Sequence, residues 1–442
     1  MEEDQEEYWH TLQEDYQQEQ YTIQPVYKRN HIPNSLLINY NLKVSGVVSR
    51  FVQDTEYKDK VSLSVLVGNL MCCLKKDRSL VYHRKKSIRI QSRKKLSVYK
   101  MIKAVDFLIE NGYATGSVGS GSVDIEKRVS SYIKATDKFK EMWTDKVTED
   151  SHINYLKDMN VIELRDEEKQ PKKFTADYCI TYMSEVVRDL NIMNERHTVR
   201  NGAGEVMTNI YCRVFNDTFE QGGRYYRADI LALQHSKGRG GRHHVTIDGC
   251  NVAEVDYSNL HFRISAEMNR LNSHDLPLDV YSGMLEDENN LVDRQVVKLA
   301  VNMMFNSDGK DKARQAIQGH INKMSVEDKE VFSLGSATNV MDLIYKCYPE
   351  FTNVLCRSGG YGLMLQNEDS SLATSIIEVF LAHDKPILVV HDSFVVRVED
   401  MNLLCDSMGE VFRARYDTDV PVPVNLSWKE ADGEIIKCNI NV

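Results

Sequence analysis

Apolar and polar positions alternate with a period of two along Val252-Ala253-Glu254-Val255-Asp256-Tyr257-Ser258-Asn259, which predicts a strand that hands Asp256 to the turn after it. A second strand is predicted at Pro386-Ile387-Leu388-Val389-Val390, an apolar run that leads into His391-Asp392-Ser393-Phe394. Between them, Val292 to Asn306 has the helical period. Its polar residues Arg294, Lys298, Asn302 and Asn306 recur four apart, along one slowly drifting stripe. Leu96 to Ala114 reads as an amphipathic helix stopped at Gly112, then a strand-like exit and a Gly/Ser-rich hairpin through Gly116, Gly119 and Gly121. Ser130 to Asn194 reads as helical and charged, with Phe174 to Leu190 a further amphipathic stretch. The mixture predicts an α+β chain.

An aspartate after an apolar strand most often caps a turn or helix. Two of them, with an arginine and a lysine one turn apart on the helix between, support a second reading. A carboxylate at the end of a buried strand is costly unless it binds something, and a divalent cation is its usual partner. Two carboxylates for metal ions and two cations for phosphates are what phosphoryl transfer from a nucleoside triphosphate requires.

In order and in local sequence, Asp256 with Tyr257-Ser258, Arg294 with Lys298, and His391-Asp392-Ser393 resemble motifs A, B and C of the family A polymerase superfamily. That superfamily includes bacterial DNA polymerase I and the single-subunit phage and mitochondrial RNA polymerases. Gly222-Gly223-Arg224-Tyr225-Tyr226 resembles the Gly-Arg segment before motif A, and Leu365 to Leu372, with Gln366, resembles the Gln-containing helix before motif C. Asp279-Val280-Tyr281 resembles the start of the fingers, and Val420 to Val424 the closing strand. The resemblance covers roughly residues 220 to 442. It implies a right hand, with residues 221–442 as palm and fingers, 166–220 as thumb-like helices, 26–165 as an N-terminal helical or winged-helix-like nucleic-acid-binding domain, and 1–25 as an acidic flexible tail.

The roles implied by the resemblance follow the same residues. Asp256 and Asp392 would hold two Mg2+ ions, with Mn2+ a possible substitute, while Arg294 and Lys298 grip the phosphates and Lys298 protonates the departing pyrophosphate. His261, Asn302, Asn306 and Tyr257 would meet the incoming nucleotide. Arg224, Gln366 and His391 would support template and primer. The implied activity is a DNA-directed DNA polymerase, without a legible proofreading exonuclease, that acts on template-primer nucleic acid and nucleoside triphosphates. The small size suggests a virus or mobile element, so that the partners extend to unidentified replication proteins.

Departures from the family pattern leave the sugar open. DNA polymerases of this family usually carry a Glu where His261 stands and an aromatic ring where Asn302 or Asn306 stands. His391-Asp392-Ser393-Phe394 reads like the RNA polymerases, whereas Asp256-Tyr257-Ser258 with Arg263 reads like the DNA enzymes. An RNA polymerase or primase of the same fold is therefore the nearer rival. A non-catalytic DNA-binding replication-initiation protein is the more distant one, and it would have no need of all four residues Asp256, Arg294, Lys298 and Asp392.

Composition changes the picture in one respect. The net charge of -10 is unexpected for a nucleic-acid binder, but the first segment alone carries Glu2, Glu3, Asp4, Glu6, Glu7, Glu14, Asp15 and Glu19 without a Lys or Arg. From Lys75 to Lys100, by contrast, a run that includes Arg84, Lys85, Lys86, Arg93, Lys94 and Lys95 faces only Asp77. It is either a solvated face or a phosphate-binding patch that leads into the helix of a winged module. The loop His235 to His244, with Arg239 and Arg242, lacks the P-loop ending and is either a backbone contact for template or primer or a mobile surface loop. Nine cysteines without a Cys-x-x-Cys pair predict reduced thiols and no structural zinc. No apolar run approaches the roughly 20 residues of a membrane span. A cytoplasmic location, or a host cytoplasm or nucleoid, is expected, with no membrane partner.

Overall fold

In the computed structural model the described residues are 34–39, 42–43, 46–82, 84, 96–119, 130–146, 155–233, 241–430 and 433–442. Expectations for the acidic segment 1–25, for Lys85, Lys86, Arg93, Lys94 and Lys95, for Gly121 and for Arg239 lie outside the described residues. The chain is a mixed α+β protein.

Its first part is built on strands β1 (Ser35–Leu37), β2 (Ser79–Tyr82), β3 (Ala114–Ser117) and β4 (Ser131–Ala135), in the order β1-β2-β4-β3. Four helices accompany them: α1 (Gly46–Gln53), α2 (Lys60–Leu74), α3 (Val98–Glu110) and α4 (Asp137–Trp143). From Leu63 to Cys73 every residue of α2 except Ser64 is buried, so this helix is the hub of the unit. Ser97 caps α3 by accepting from the Lys100 amide at 3.3 Å, and after Asn111 the chain leaves through Gly112 at φ 73° into the β3–β4 hairpin. The helix-then-hairpin pattern is thus present. Ser131–Ala135, expected as helix, is a strand instead. Ser131, Ile133 and Ala135 point inward and alternate with half-buried Tyr132 and Lys134, a period of two that outweighs the charged surroundings.

Two cations of the basic run also face inward. Arg78 donates two bonds of 2.8 and 2.7 Å to Glu195, and Lys76 donates to the Glu195 and His197 carbonyls at 3.1 and 3.2 Å. The Arg78 and Glu195 side chains are 0% and 4% exposed. This pair seats the first part on α5 (Tyr178–Arg196), whose N-terminus is capped by Asp177.

The second part holds two sheets. The smaller runs β5-β7-β8 through β5 (Ile162–Arg165), β7 (Cys212–Asn216) and β8 (Thr218–Tyr226). In the larger, β11 (Leu388–Val390), β12 (Ser393–Arg397), β10 (Cys250–Tyr257), β13 (Pro423–Lys429) and β14 (Ile435–Asn441) pair antiparallel in that order, with β6 (Val199–Arg200) and β9 (Thr246–Ile247) branching from β10. Helix α6 (Leu260–Met268) follows β10 directly. A helical unit comes next, with α7 (Leu291–Phe305), α8 (Lys310–Lys323), α9 (Val326–Val331) and α10 (Ala337–Cys347). Then α11 (Tyr361–Ala382) packs along β8, and α12 (Met401–Tyr416) covers one face of the large sheet. No described helix is long and apolar enough to cross a membrane.

The apolar run at Pro386 continues past the polar residues and divides into two strands. His391 and Asp392 form the two-residue turn between β11 and β12, and Phe394, Val395 and Val396 continue the core on the return. The Gly222-Gly223 pair has its own reason. Both take positive φ, 75° and 85°, where β7 and β8 slip register, and a Cβ there would fall 2.4 Å from the Asn216 side chain or 2.6 Å from the Phe215 ring.

Candidate active site

The large sheet brings Asp256 and Asp392 together despite their distance in sequence. Asp256 pairs across the β10–β12 ladder with Ser393, and the Tyr257 amide donates to the Asp392 carbonyl at 3.3 Å. On its other side Asp256 faces Asn425 of β13. His391 reaches φ 61° in the turn, a conformation that a hairpin of this length usually gives to glycine and that costs a side chain on the order of 1 kcal/mol or more. Its ring packs edge-to-face on Tyr226, centroids 5.8 Å apart. A strained residue beside a carboxylate is what functional turns retain.

Electrostatics separate this cluster from its surroundings. Burial, then the negative charges of Asp392 and Glu254, push the Asp256 carboxyl well above the usual carboxylate range, while Lys298 and Arg242 pull the other way. Burial and the neighbouring Arg294 lower the Lys298 ammonium from its ordinary value, although Asp256, Asp392 and Asp279 oppose them. A lysine so placed gives up its proton more readily. Like charges held side by side also leave a demand for a cation, and hard carboxylate oxygens are the donor type that magnesium or manganese takes. Asp256 and Asp392 therefore fit such an ion. Among the described residues no group of three or more His, Cys, Asp or Glu side chains forms a fuller cage.

Helix α7 supplies the cations. Val292, Val296, Val297, Leu299 and Ala300 are buried, whereas Arg294, Lys298 and Asn302 stay half-buried along one stripe. Arg294 donates through Nε to Asp279 at 2.7 Å and to Ser282 Oγ at 3.2 Å. Asp279 in turn accepts from the Tyr281 amide at 3.0 Å and the Ser282 hydroxyl at 2.9 Å, which fixes the carboxylate before it meets the arginine. Asn306 ends the helix and donates back to the Asn302 carbonyl at 2.8 Å. It lies against α11 so closely that a Cβ on Gly362 would come within 2.1 Å of Asn306 Oδ1.

Other predicted residues are placed differently. Tyr257 alternates to the far face of β10, where its buried hydroxyl donates to the Met408 carbonyl at 2.7 Å; the structure does not bring it to the cluster. Arg242 is buried and pairs with Glu254 at 2.8 Å, one residue pair behind Asp256 on the same strand face. Ser393 donates to the same Glu254 oxygen at 2.7 Å. Arg224 is buried against Asp369, which also accepts from His261 Nε2 at 2.8 Å, and Gln366 is buried one turn earlier on α11. Arg84 donates to the Tyr82 hydroxyl at 3.1 Å, away from the cluster in the first part. Sequence reasoning gave no role to Glu254, Asp369 and Tyr226, and it marked Asp279 only as resembling the start of the fingers. Glu254 carried a signal, as a second charge two residues before Asp256 and therefore on the same side of the strand.

No protein-family model matches the chain, and no curated protein sequence matches it. Among solved structures it is similar to the polymerase domain of Pol1 from M. smegmatis in complex with DNA primer-template and dNTP, at 12% identity and a TM-score of 0.25. The match covers 87% of this chain and 66% of that one, so the chain spans just under two thirds of its neighbour's length.

Proposed function

We propose that this chain is a template-directed nucleotidyltransferase, a DNA-directed DNA polymerase of the family A type. The observation that carries the reading is the meeting of Asp256, on β10, with Asp392, in the turn that opens the adjacent antiparallel β12, within the field of Lys298 and Arg294. The residues 221–442 correspond in this reading to palm and fingers, with the large sheet as palm and α7 to α10 as fingers. The part before residue 165 serves as the nucleic-acid-binding domain, and α5 lies in the thumb-like segment.

Asp256 and Asp392 would hold two magnesium ions, with manganese a substitute. When bound, such ions lower the pKa of an attacking 3′-hydroxyl and balance the charge on the oxygens in flight. The chain's own groups do the rest. Arg294, held at its Nε by Asp279, keeps its outer nitrogens for a phosphate, and Lys298 stands between the arginine and the carboxylates, where it can neutralise a phosphate and protonate the leaving pyrophosphate. His391, fixed by Tyr226, borders Asp392 and would support the primer end. Exclusion of water from the half-buried cluster strengthens each of these contacts.

Primer extension by the full chain, with deoxynucleotides, a DNA template-primer and Mg2+, tests the reading. Extension that is lost in Asp392→Asn with the fold intact supports it; undiminished extension by that variant refutes it. The second reading, an RNA polymerase or primase of the same fold, is favoured by the imidazole at His261 and is separated by the same assay with ribonucleotides, with and without primer.

A further inference from the structure

The large sheet ends differently on its two sides. Its β11 edge is three residues long, with Leu388 and Val389 fully buried. Its β14 edge runs seven residues, Ile435 to Asn441, and is largely open on both faces, with Ile435 36% and Ile440 39% exposed. Among the described residues no strand pairs with β14 beyond β13. Nor does β14 carry the devices that keep such an edge from pairing, since it has no proline and no bulge against β13, and Lys437 is its one charge.

The ladder to β13 fixes which backbone groups are left over. Val442 and Val422 exchange backbone bonds of 3.0 and 3.1 Å, and the Glu430 amide donates to the Glu434 carbonyl at 2.8 Å. The register between these ends is unbroken, so Ile436, Cys438 and Ile440 turn their amides and carbonyls to β13. Ile435, Lys437, Asn439 and Asn441 turn theirs outward. Each of these four offers a donor and an acceptor along the free edge.

Those outward groups define the partner. An antiparallel strand completes the edge only if its own outward residues fall opposite these four. A second copy of β14 does so in the register that sets Cys438 opposite itself: Lys437 meets Asn439, Ile435 meets Asn441, and the whole strand overlaps. Ile436 then sits beside Ile440 at the closer, non-hydrogen-bonded positions, where β-branched pairs pack well. A shift by one residue sets outward groups opposite inward ones. A shift by two shortens the overlap, and in one direction it brings Lys437 against Lys437. The strand is thus complementary to itself in one register, a match that an unrelated peptide has no reason to reproduce.

We propose that two copies of this chain pair antiparallel through β14, about a twofold axis at Cys438, into one continuous sheet. The contact is isologous, so it closes at two copies and leaves no β14 edge free. The axis stands perpendicular to the sheet, and both Asp256 clusters therefore open on the same face. Five strand spacings separate them, roughly 24 Å across the strands. A single strand pair is a small interface, so the association is weak. It does not depend on the nucleotidyltransferase reading.

Sedimentation equilibrium of the full chain, from low micromolar to several hundred micromolar, tests the pairing. The wild type should pass from monomer to dimer in that range. Lys437→Pro removes an outward donor and leaves every bond to β13, since a proline is tolerated where the N–H faces solvent. Symmetry counts the loss twice, so the dimer should weaken about tenfold or more with the melting temperature unchanged. Mild oxidation with diamide tests the register, in a Cys405→Ala background that removes the neighbouring thiol of the same chain. Directly opposed Cα atoms about 4.5 Å apart lie within disulfide reach. The two Cys438 thiols should join, their two protons and two electrons passing to the diamide, and peptide mapping should recover the link between them. A wild type that stays monomeric throughout, or a dimer that Lys437→Pro does not weaken, overturns the pairing. A dimer linked through other cysteines, or not linked at all, overturns the register.

Discussion

Two clusters of enclosed charge behave in opposite ways. Arg78 and Glu195 meet through two bonds at 2.8 and 2.7 Å with almost no exposure, so each charge has its counterpart and the pair serves to join two parts of the chain. Glu254 is answered by Arg242, but Asp256 and Asp392 crowd together beside it, and the Asp256 carboxyl is pushed up by burial and by both of these neighbours. Charge that is answered within the protein is architecture; charge left in excess marks where something else binds.

The largest effect should come from the unanswered cluster. Asp392→Asn is expected to lower nucleotide incorporation on the order of 10⁴-fold, ~5 kcal/mol in the transition state, with a melting temperature equal to or above the wild type because a repulsion is removed. Primer extension and a thermal melt of the same preparation check both halves. A drop in melting temperature with extension retained would reverse the contrast.

Glu195→Ala breaks the answered cluster. It leaves the Arg78 guanidinium enclosed without its partner carboxylate, which is expected to cost about 3–4 kcal/mol of stability. Urea unfolding measures it. Replacing both residues by apolar ones should recover most of that loss, since the pair joins surfaces without itself contributing much net stability.

His320 on α8 illustrates a third solution, a buried group kept uncharged. Burial, aided by Lys323, lowers its pKa to about 4 from an ordinary 6.5. The unfolded chain takes up a proton that the folded one refuses, so stability is full above pH 6.5 and falls as the pH drops toward 4. The loss should be on the order of 2 kcal/mol, and it should flatten in His320→Gln when melts are compared from pH 7 to pH 4.5.

How much of this could be read from the chain follows from the kind of signal each part carries. The strand at Asp256 and the helix at Arg294 were legible because their periods, two and 3.6, are local properties. So was the four-residue stripe on α7, with Asn302 half-buried as the spacing implied. The β11–β12 hairpin was not, since His391-Asp392 contains no Gly or Asn and the turn is enforced by tertiary context at a strained φ of 61°. The sequence offers Arg224 and Arg242 to template or primer and Arg78 to a basic patch, because their partners, Asp369, Glu254 and Glu195, are set by long-range packing that no spacing reveals. The misread strand at Ser131–Ala135 has the same origin, for β4 exists only through its pairing with β2 and β3.

The smallest expected effect concerns the two faces of one strand, β10. Asp256 opens on the charged face, whereas Tyr257, the next residue, alternates to the opposite side and spends its hydroxyl on the Met408 carbonyl of α12. Tyr257→Phe keeps the ring and removes one neutral bond. It is expected to lower stability by about 1 kcal/mol, since a buried carbonyl loses its donor, and to leave nucleotide affinity within a factor of two. Urea unfolding and nucleotide titration of the same variant separate the two faces. A several-fold loss of nucleotide affinity without loss of stability would mean that the tyrosine turns toward the cleft in the working protein, and the division of β10 into a reactive and a packing face would fall.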